Sequence, residues 1–282
     1  MIDLLIRDCA NIDRSDNRFP WMRNFDPYAG HSWASGHAGF ASGNNQESSS
    51  ESMNFASSLV IYGEATGNTA IRDLGIFWHS TKAEAIRQYW FDQDNEVFPQ
   101  GYGHTCVGMV WGDGATYGTW WTANPEEIHG INYLPITGGS LYLGRDPDYV
   151  RRNFEDMLES NRRFHNGGFE GDPEKIGRWH DILAEYSALA SPTEAIGRFV
   201  ANGRQHKPEF GETRTHSMQW LSALAHLGQV DSSVSANHPL AVVFDREGQK
   251  TRVVWNFSED KTVKFSDGKQ VQAGRGLTVH RD

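Results

Sequence analysis

The chain has 282 residues, of which 38% are hydrophobic and 12% aromatic, so it can bury a sizeable core. These values exclude disordered and fibrous classes and favour one large domain with at most a small appendage. The formal net charge of −10 argues against nucleic acid and anionic membrane surfaces as partners, so a neutral or cationic ligand is expected. Ten Trp and nine Tyr beside many carboxylates suit uncharged sugars, although a single aromatic residue is more often part of a core.

The sequence pattern predicts neither a membrane span nor an export signal. No run approaches the ~18 apolar residues of a transmembrane helix, so no membrane partner is expected. Residues 1–8 lack the basic start and long apolar run of a signal peptide, which leaves a cytoplasmic location open. The two cysteines, Cys9 and Cys106, are too few for a disulfide framework.

Long irregular loops alternate with helical patterns along the first part of the chain. Residues 11–45 are rich in Asp, Asn, Gly, Ser and Pro without a sustained period, which predicts a long loop of the kind that often carries function. From Gln46 to Gly63, apolar residues recur at helical spacing and predict an amphipathic helix. Asn68 is expected to cap a second helix that runs through Ile86.

A second irregular segment, rich in Gly and Trp, covers residues 100–144. Helical patterns then resume, several of them opened by proline, at residues 147–164, 173–189, 192–201 and 213–227. Helices that follow one another through long polar and aromatic loops favour an (α/α)6 toroid with a cleft at one end.

The last residues change to short alternating runs, at 240–244, 251–257, 262–265 and 277–279. Arg246-Glu247-Gly248 and Ser266-Asp267-Gly268 between them are hairpin turn signals. We therefore expect two units: residues 1–235, helical, and residues 236–282, a small C-terminal antiparallel β-sheet packed on them.

Two carboxylates stand together at the amino end of the first predicted helix. Glu47 and Glu51 are four residues apart, which on a helix places their Cβ atoms about 5 to 6 Å apart on one face. Such a pair can hold one raised pKa for acid and base catalysis. The alternative is that one glutamate caps the helix and the other is a solvated surface charge.

The loop at residues 24–36 mixes a carboxylate, an imidazole, aromatic rings and glycines, as binding loops do. In the alternative interpretation Asp26 caps a turn, His31 is an interior histidine and Trp33 belongs to the core. His31, His37, His104 and His129 fall in no metal-ligand spacing, and no nucleophile elbow, phosphate loop or dinucleotide fingerprint occurs. We therefore expect no metal and no cofactor. Of the chemistries considered, hydrolysis by paired carboxylates is the one that the motifs leave open.

Two motifs resemble glycoside hydrolase family 81. They are FDPYAGHSWASG at residues 25–36 and NQESSSE at residues 45–51. The resemblance continues through IHGINYLPI at 128–136 and THSMQW at 215–220. It reaches the closing strands at 241–244 and 263–268, and so covers essentially the whole chain.

The resemblance implies an endo-acting β-1,3-glucanase that cleaves laminarin-type glucans with inversion on an (α/α)6 toroid, and it implies an extracellular location. It makes Glu47 the general base and Glu51 a group that assists or positions water. The partner is then a β-1,3-glucan oligo- or polysaccharide. Substrate contacts are expected from Asp26, Tyr28, His31, Trp33, Asn45, Gln46, Trp111, Trp120, Trp121 and His129.

One element of the family is missing. Its general acid is an aspartate in an Asp-His-His-Phe-His-like stretch before the first motif, and no such stretch occurs here. The chain thus resembles the C-terminal part of a member, with a toroid incomplete at its N-terminal side. Self-association or an upstream domain is expected to cover the apolar surface this leaves.

The missing acid leaves the activity of the chain open. A substitute acid would come from another polypeptide or from Asp26, Asp113, Glu126 or Glu127. The rival function is a β-1,3-glucan-binding protein or fragment without catalysis.

Overall fold

The computed structural model describes residues 1–34, 39–201 and 206–282; Ser35, Gly36 and His37 of the sequence motifs lie outside them. The described chain is mainly helical and carries several small antiparallel sheets. Its α-helices are α1 (Ile2–Ala10), α2 (Ser49–Thr66), α3 (Thr69–Tyr89), α4 (Pro125–Gly130), α5 (Pro147–Phe164), α6 (His180–Ser187), α7 (Pro192–Ala201) and α8 (Arg214–Leu227). A 3-10 helix covers Gly138–Arg145.

Local capping explains the helices that were predicted correctly. The Asn68 side chain accepts a hydrogen bond from Ile71 N at 3.2 Å and begins α3. The Asp146 side chain accepts one from Tyr149 N at 3.0 Å, immediately before Pro147 in the first turn of α5. Helix α7 has the predicted bounds, and Thr213 caps α8.

The prediction of a helix from residue 173 is wrong. The Glu126 carboxylate accepts hydrogen bonds from Gly177 N and Arg178 N, both at 2.7 Å, and so holds this backbone in an extended loop. Trp179 follows with φ of 50°, outside the helical region, and α6 begins only at His180. A tertiary contact therefore overrides the local helical pattern.

Helices α2 and α3 form a close pair through two glycines. A Cβ atom on Gly63 would lie 2.5 Å from Arg72 N, and one on Gly75 would lie 2.7 Å from Val60 N. Only glycine allows backbones to approach this closely. Glu51 lies in the first turn of α2, so the close packing of the two helices fixes the position of its backbone.

Within the described residues, the strands form four small antiparallel sheets. They are β1 (Phe25–Asp26), β2 (His31–Ser32), β3 (Asn45–Gln46), β4 (Met109–Trp111), β5 (Gly114–Thr116), β6 (Gln229–Val230), β7 (Ala241–Arg246), β8 (Gln249–Asn256), β9 (Lys261–Lys264), β10 (Gln270–Ala273) and β11 (Gly276–Arg281). The orders are β1-β2, β3-β4-β5, β11-β8-β7-β6 and β10-β9. Positive φ at Glu247 and Gly248 produces the predicted β7–β8 hairpin turn.

The small C-terminal sheet is present, with two strands that the sequence did not indicate. Strand β10 completes a hairpin with β9, and β6 pairs with β7 through Val230 and Phe244. β6 lies before residue 235, so the four-stranded sheet begins inside the segment expected to be wholly helical. The division into two units, and the closed toroid, stay predictions.

Buried residues form a main core between α3, α5, α6 and α8, a second cluster between α1, α2 and α3, and a third inside the C-terminal sheet. Among the described helices, none combines the length and apolar character that crossing a bilayer requires. The second cluster and the main core both contact α2, and they fix the helix that follows Glu47.

Candidate active site

Glu47 lies in a turn between a strand and a helix. Asn45 and Gln46 form β3 and pair with Trp111 and Val110 of β4. Glu47 follows β3 directly, and Ser48 is the N-cap of α2. The prediction that Glu47 and Glu51 share one helix face is therefore wrong, because Glu47 precedes the helix. Glu47 is half-buried, whereas Glu51 is exposed in the first turn.

The serines after Glu47 anchor the turn to a distant segment. Ser48 Oγ and Ser50 Oγ each donate a hydrogen bond to the Ile131 carbonyl at 3.2 Å. Ser49 Oγ donates to Asn132 Oδ1 at 3.0 Å, and all three serines are buried. Their hydroxyl protons are therefore donated to the protein, and the three serines fix the turn that carries Glu47.

A group of aromatic residues lies beside Glu47, and we call Phe40, Trp111, Trp120 and Trp121 the aromatic surface. Trp121 joins the group as the neighbour of Trp120 in the chain, and its ring lies 5.8 Å from that of Trp179 between centroids. The ring centroids of Trp111 and Trp120 are 5.3 Å apart, and Phe40 lies 5.5 Å from Trp111 and 5.4 Å from Trp120. The side chains of Trp120 and Trp121 are 52% and 54% exposed, so their faces can meet a ligand. Exposed tryptophan faces beside a carboxylate suit a pyranose chain.

The backbone of the tryptophan loop binds Glu47 directly. Trp120 N donates a hydrogen bond to Glu47 Oε1 at 2.9 Å. Thr119 and Thr122 close the loop, because Thr122 N donates to Thr119 Oγ1 at 3.0 Å. Thr122 Oγ1 in turn donates to Glu127 Oε2 at 2.8 Å. The two threonines that flank Trp120 and Trp121 were a signal for this loop that sequence reasoning missed.

Asp26 stabilises the turn of its own loop. Its Oδ1 accepts from Tyr28 N at 2.9 Å and Ala29 N at 3.3 Å, and its Oδ2 accepts from Trp33 Nε1 at 3.1 Å. Burial opposes ionisation of the Asp26 carboxyl, but these donors outweigh it and lower its pKa. The capping interpretation of Asp26 is the one that fits. Tyr28 is fully exposed at 100%.

His31 is an interior residue. It is 4% exposed, and its ring lies 4.4 Å from the Trp33 ring and 5.0 Å from that of Trp90 between centroids. Its Nδ1 is 3.0 Å from the Ser32 carbonyl, and burial lowers its pKa, so the ring is neutral at neutral pH. Trp33 is half-buried against the main core.

The amides of β3 differ in exposure. Asn45 is 3% exposed, and its Oδ1 has no hydrogen-bond partner among the described residues. Gln46 is half-buried, and its Nε2 donates to the Ser48 carbonyl at 2.8 Å. The buried Asn45 side chain is therefore closed to a ligand, and the Gln46 side chain stabilises the turn before α2.

His129 is completely buried on α4. Its Nδ1 is 2.7 Å from Asn153 Oδ1, its Nε2 is 3.1 Å from Tyr117 OH, and Asp156 Oδ2 is 3.9 Å away. Burial lowers its pKa to about 4. At 0% exposure the ring has no surface for a ligand to touch.

The four candidate substitute acids differ in their burial and in their hydrogen-bond partners. Glu126 is 0% exposed and bound by backbone amides, although burial raises its pKa. Glu127 is 3% exposed and accepts from Thr122 and from Arg178 at 3.4 Å. Asp113 lies exposed at the β4–β5 turn, and Asp26 is held by its loop. Glu126 and Glu127 thus stabilise neighbouring loops through their hydrogen bonds.

Three comparisons extend these observations. The model of the glycosyl hydrolase family 81 C-terminal domain matches residues 1–221. A glucan endo-1,3-beta-D-glucosidase from Thermobifida fusca is 46% identical over 273 residues, covering 95% of this chain and 34% of the relative. One from Acetivibrio thermocellus is 47% identical over 275 residues, covering 97% of this chain and 34% of the relative.

A solved structure supports the same assignment. A mutant of a glycoside hydrolase family 81 protein from Clostridium thermocellum superposes with a TM-score of 0.92 and is 46% identical in sequence. The match covers 99% of this chain and 38% of that chain. The chain therefore spans about a third of the length of its curated relatives. The fold, the two motifs and the family model agree, and the chain belongs to glycoside hydrolase family 81.

Proposed function

We propose that the chain forms the base side of a site that hydrolyses internal β-1,3-glucosidic bonds, with Glu47 as the general base. The observation that carries this proposal is the hydrogen bond from Trp120 N to Glu47 Oε1, 2.9 Å long. It fixes a half-buried carboxylate at the edge of two half-exposed tryptophan faces. The relatives named as glucan endo-1,3-beta-D-glucosidases supply the substrate class.

The geometry of Glu47 suits proton abstraction from water. Its Oε1 is occupied by the Trp120 N–H, whereas within the described part of the chain its Oε2 accepts no hydrogen bond. The free oxygen can take a proton from a water that attacks the anomeric carbon. We propose that Glu51, exposed in the first turn of α2, orients that water.

Inversion requires an acid on the other side of the glycosidic bond. The two carboxyl groups of an inverting enzyme stand about 6.5 to 9.5 Å apart, with room for water between them. Of the four candidate acids, Asp26, Glu126 and Glu127 are each bound by protein donors. Asp113 lies on the turn of the β4–β5 hairpin, which pairs with β3 directly before Glu47, so it belongs to the same side of the site as the base. We therefore propose that the acid comes from a segment outside this chain.

The buried members of the predicted site act by positioning. Asn45 and His129 have almost no exposed surface, and His31 lies among core aromatic rings. We propose that they hold β3, α4 and the residue 24–34 loop, while Trp111, Trp120 and Trp121 contact the sugar. Tyr28, fully exposed, is a further contact for a long glucan.

The rival function is glucan binding without hydrolysis. It is supported by the same observations that led us to propose an acid outside the chain, because the aromatic surface needs no acid to bind sugar. An extracellular site of action is part of the proposal, on family membership alone.

The deciding experiment measures reducing-end release from laminarin. The chain is assayed alone and mixed with the preceding part of the Thermobifida fusca relative, each with Glu47 and with Glu47→Gln. Release by the mixture that Glu47→Gln abolishes supports the proposal. Release that survives Glu47→Gln contradicts the assignment of the base. Binding to laminarin without release in either form favours the rival.

A further inference from the structure

A cluster of side chains that can ligate a metal lies where α6 meets the start of α8. Glu185 is on α6, Glu212 is the residue before the N-cap Thr213, and His216 is in the first turn of α8. One ligand atom from each of the three lies within 4.8 Å of the others. His216 Nδ1 is 2.6 Å from Glu212 Oε2 and 4.0 Å from Glu185 Oε1.

The Glu185 carboxyl is buried and poorly partnered. Its side chain is 0% exposed and neither oxygen has a hydrogen bond of normal geometry within the described residues, although the Ser217 hydroxyl and the Glu212 carboxyl lie close to it. An isolated buried carboxylate is strongly unfavourable, so it must hold a proton or face a cation. The half-exposed imidazole of His216 covers the cluster and leaves a path from solvent, because its side chain is 38% exposed.

We propose that Glu185, Glu212 and His216 bind a divalent transition-metal cation of the Zn²⁺ type. One imidazole and two carboxylates match the donors that such ions accept, and a fourth position would hold water. Ca²⁺ and Mg²⁺ prefer six or more oxygen ligands, which this set does not supply.

The distances fit a small ion after minor adjustment. Ligand bonds of about 2.0 to 2.2 Å place tetrahedral donors roughly 3.3 Å apart. The two separations that involve His216, 2.6 and 4.0 Å, lie on either side of that value, and all three ligand atoms lie within 4.8 Å of one another.

The surrounding charges also favour a cation. The Glu212 carboxylate lies beside Glu185, and Asp181 lies one turn earlier on α6, so the cluster has an excess of negative charge. A divalent ion would neutralise the pair of carboxylates. The bound ion would link α6 to α8, in parallel with the hydrogen bond from Trp220 Nε1 to the Glu185 carbonyl at 3.0 Å.

The test is binding of Zn²⁺ to the EDTA-treated chain, measured by calorimetry, with the melting temperature followed in parallel. We expect one ion per chain and a rise in melting temperature with Zn²⁺ but not with Mg²⁺ or Ca²⁺. Glu185→Gln and His216→Gln should each weaken binding at least tenfold. Co²⁺ should give the visible absorption of a four-coordinate site.

The matched control is His238→Gln, because His238 forms a separate pair with Glu64 at 3.8 Å. It should leave Zn²⁺ binding unchanged. Circular dichroism checks that each variant is folded, and Glu185→Gln keeps the size of the buried side chain. Absence of one-to-one binding to the folded chain, or equal binding in Glu185→Gln and His216→Gln, would overturn the proposal. So would an infrared carbonyl band showing that Glu185 keeps its proton in saturating Zn²⁺.

Discussion

Trp120 N lies 2.9 Å from Glu47 Oε1, although the two residues are 73 positions apart in the chain. This hydrogen bond holds the Glu47 carboxylate against the tryptophan loop at residues 119–122. Substrate bound on the loop would therefore meet the carboxylate at a fixed distance, which general base catalysis requires.

The first prediction concerns Glu47 itself. In the assay with the upstream part of a relative, Glu47→Gln should lower kcat about 10²- to 10⁴-fold, because an amide cannot accept the proton of water. Laminarin affinity and melting temperature should stay close to wild type, since Gln keeps the oxygen that accepts from Trp120 N. Glu51→Gln serves as the comparison and should lose less activity. Equal kcat in wild type and Glu47→Gln would exclude Glu47 as the base.

The second prediction concerns the aromatic surface. Trp120→Ala and Trp121→Ala should each weaken laminarin binding by about 0.5 to 1.5 kcal/mol, or roughly 2- to 13-fold in Kd. Affinity electrophoresis or calorimetry measures the loss. Trp255→Ala is the matched control, because Trp255 is 45% exposed but lies on β8. An undiminished affinity in both loop variants would remove the aromatic surface from the site.

The third prediction concerns a buried lysine between α2 and α3. Lys82 is 1% exposed, lies over the Trp78 ring at 4.6 Å and donates to the Ser52 carbonyl at 3.3 Å. Burial lowers its pKa from 10.5 to about 7. Between pH 7 and pH 10.5 the folded state thus binds fewer protons than the unfolded state, so the free energy of unfolding rises with pH. Below pH 7 the buried ammonium destabilises the folded state by its full amount.

Lys82→Met should therefore stabilise the chain most below pH 7, by an amount on the order of a few kcal/mol, and progressively less toward pH 10. Denaturant unfolding at pH 6 and pH 9.5 measures the difference. Lys264→Met, at an exposed site, should show no such dependence. A Lys82→Met effect that is the same at both pH values would contradict the assignment.

The fourth prediction concerns the exposed face of α1. Ile2, Leu4 and Leu5 are 56%, 56% and 64% exposed. A contiguous apolar face of this kind favours association. Light scattering should show concentration-dependent association that Leu4→Glu with Leu5→Glu reduces. Ile61→Glu, at an apolar site on α2 that is 45% exposed, should not reduce it. A wild-type chain that stays monomeric at all concentrations would contradict this prediction.

Helices with their own caps could be predicted from the sequence, and helices set by distant contacts could not. Asp146 with Pro147 marked the start of α5, and Asn68 that of α3. Helix α4 was missed because all six of its residues are buried, so it has no alternation between a core face and a solvent face. The late start of α6 depends on Glu126, more than fifty positions away, and no local pattern reveals that contact.

The candidate site was predictable in its residue types and less so in its geometry. The sequence identified Glu47 and the tryptophans, which the structure brings together. The i, i+4 interpretation of the carboxylates failed because β3 pairs with β4 and delays the start of α2 to Ser49. Pairing between segments that are distant in sequence decides such boundaries, and Phe40, Thr119 and Thr122 entered the site for the same reason.

The pairing of Asn45 with Trp111 has a consequence for exchanging parts between relatives. A slip of one residue in β3 would turn Glu47 to the opposite side of the three-stranded sheet. The segment before α2 and the β4–β5 hairpin must therefore be exchanged together, because their pairing sets the register of β3. A chimera that takes only one half from a relative should fold around its core and still lose the site.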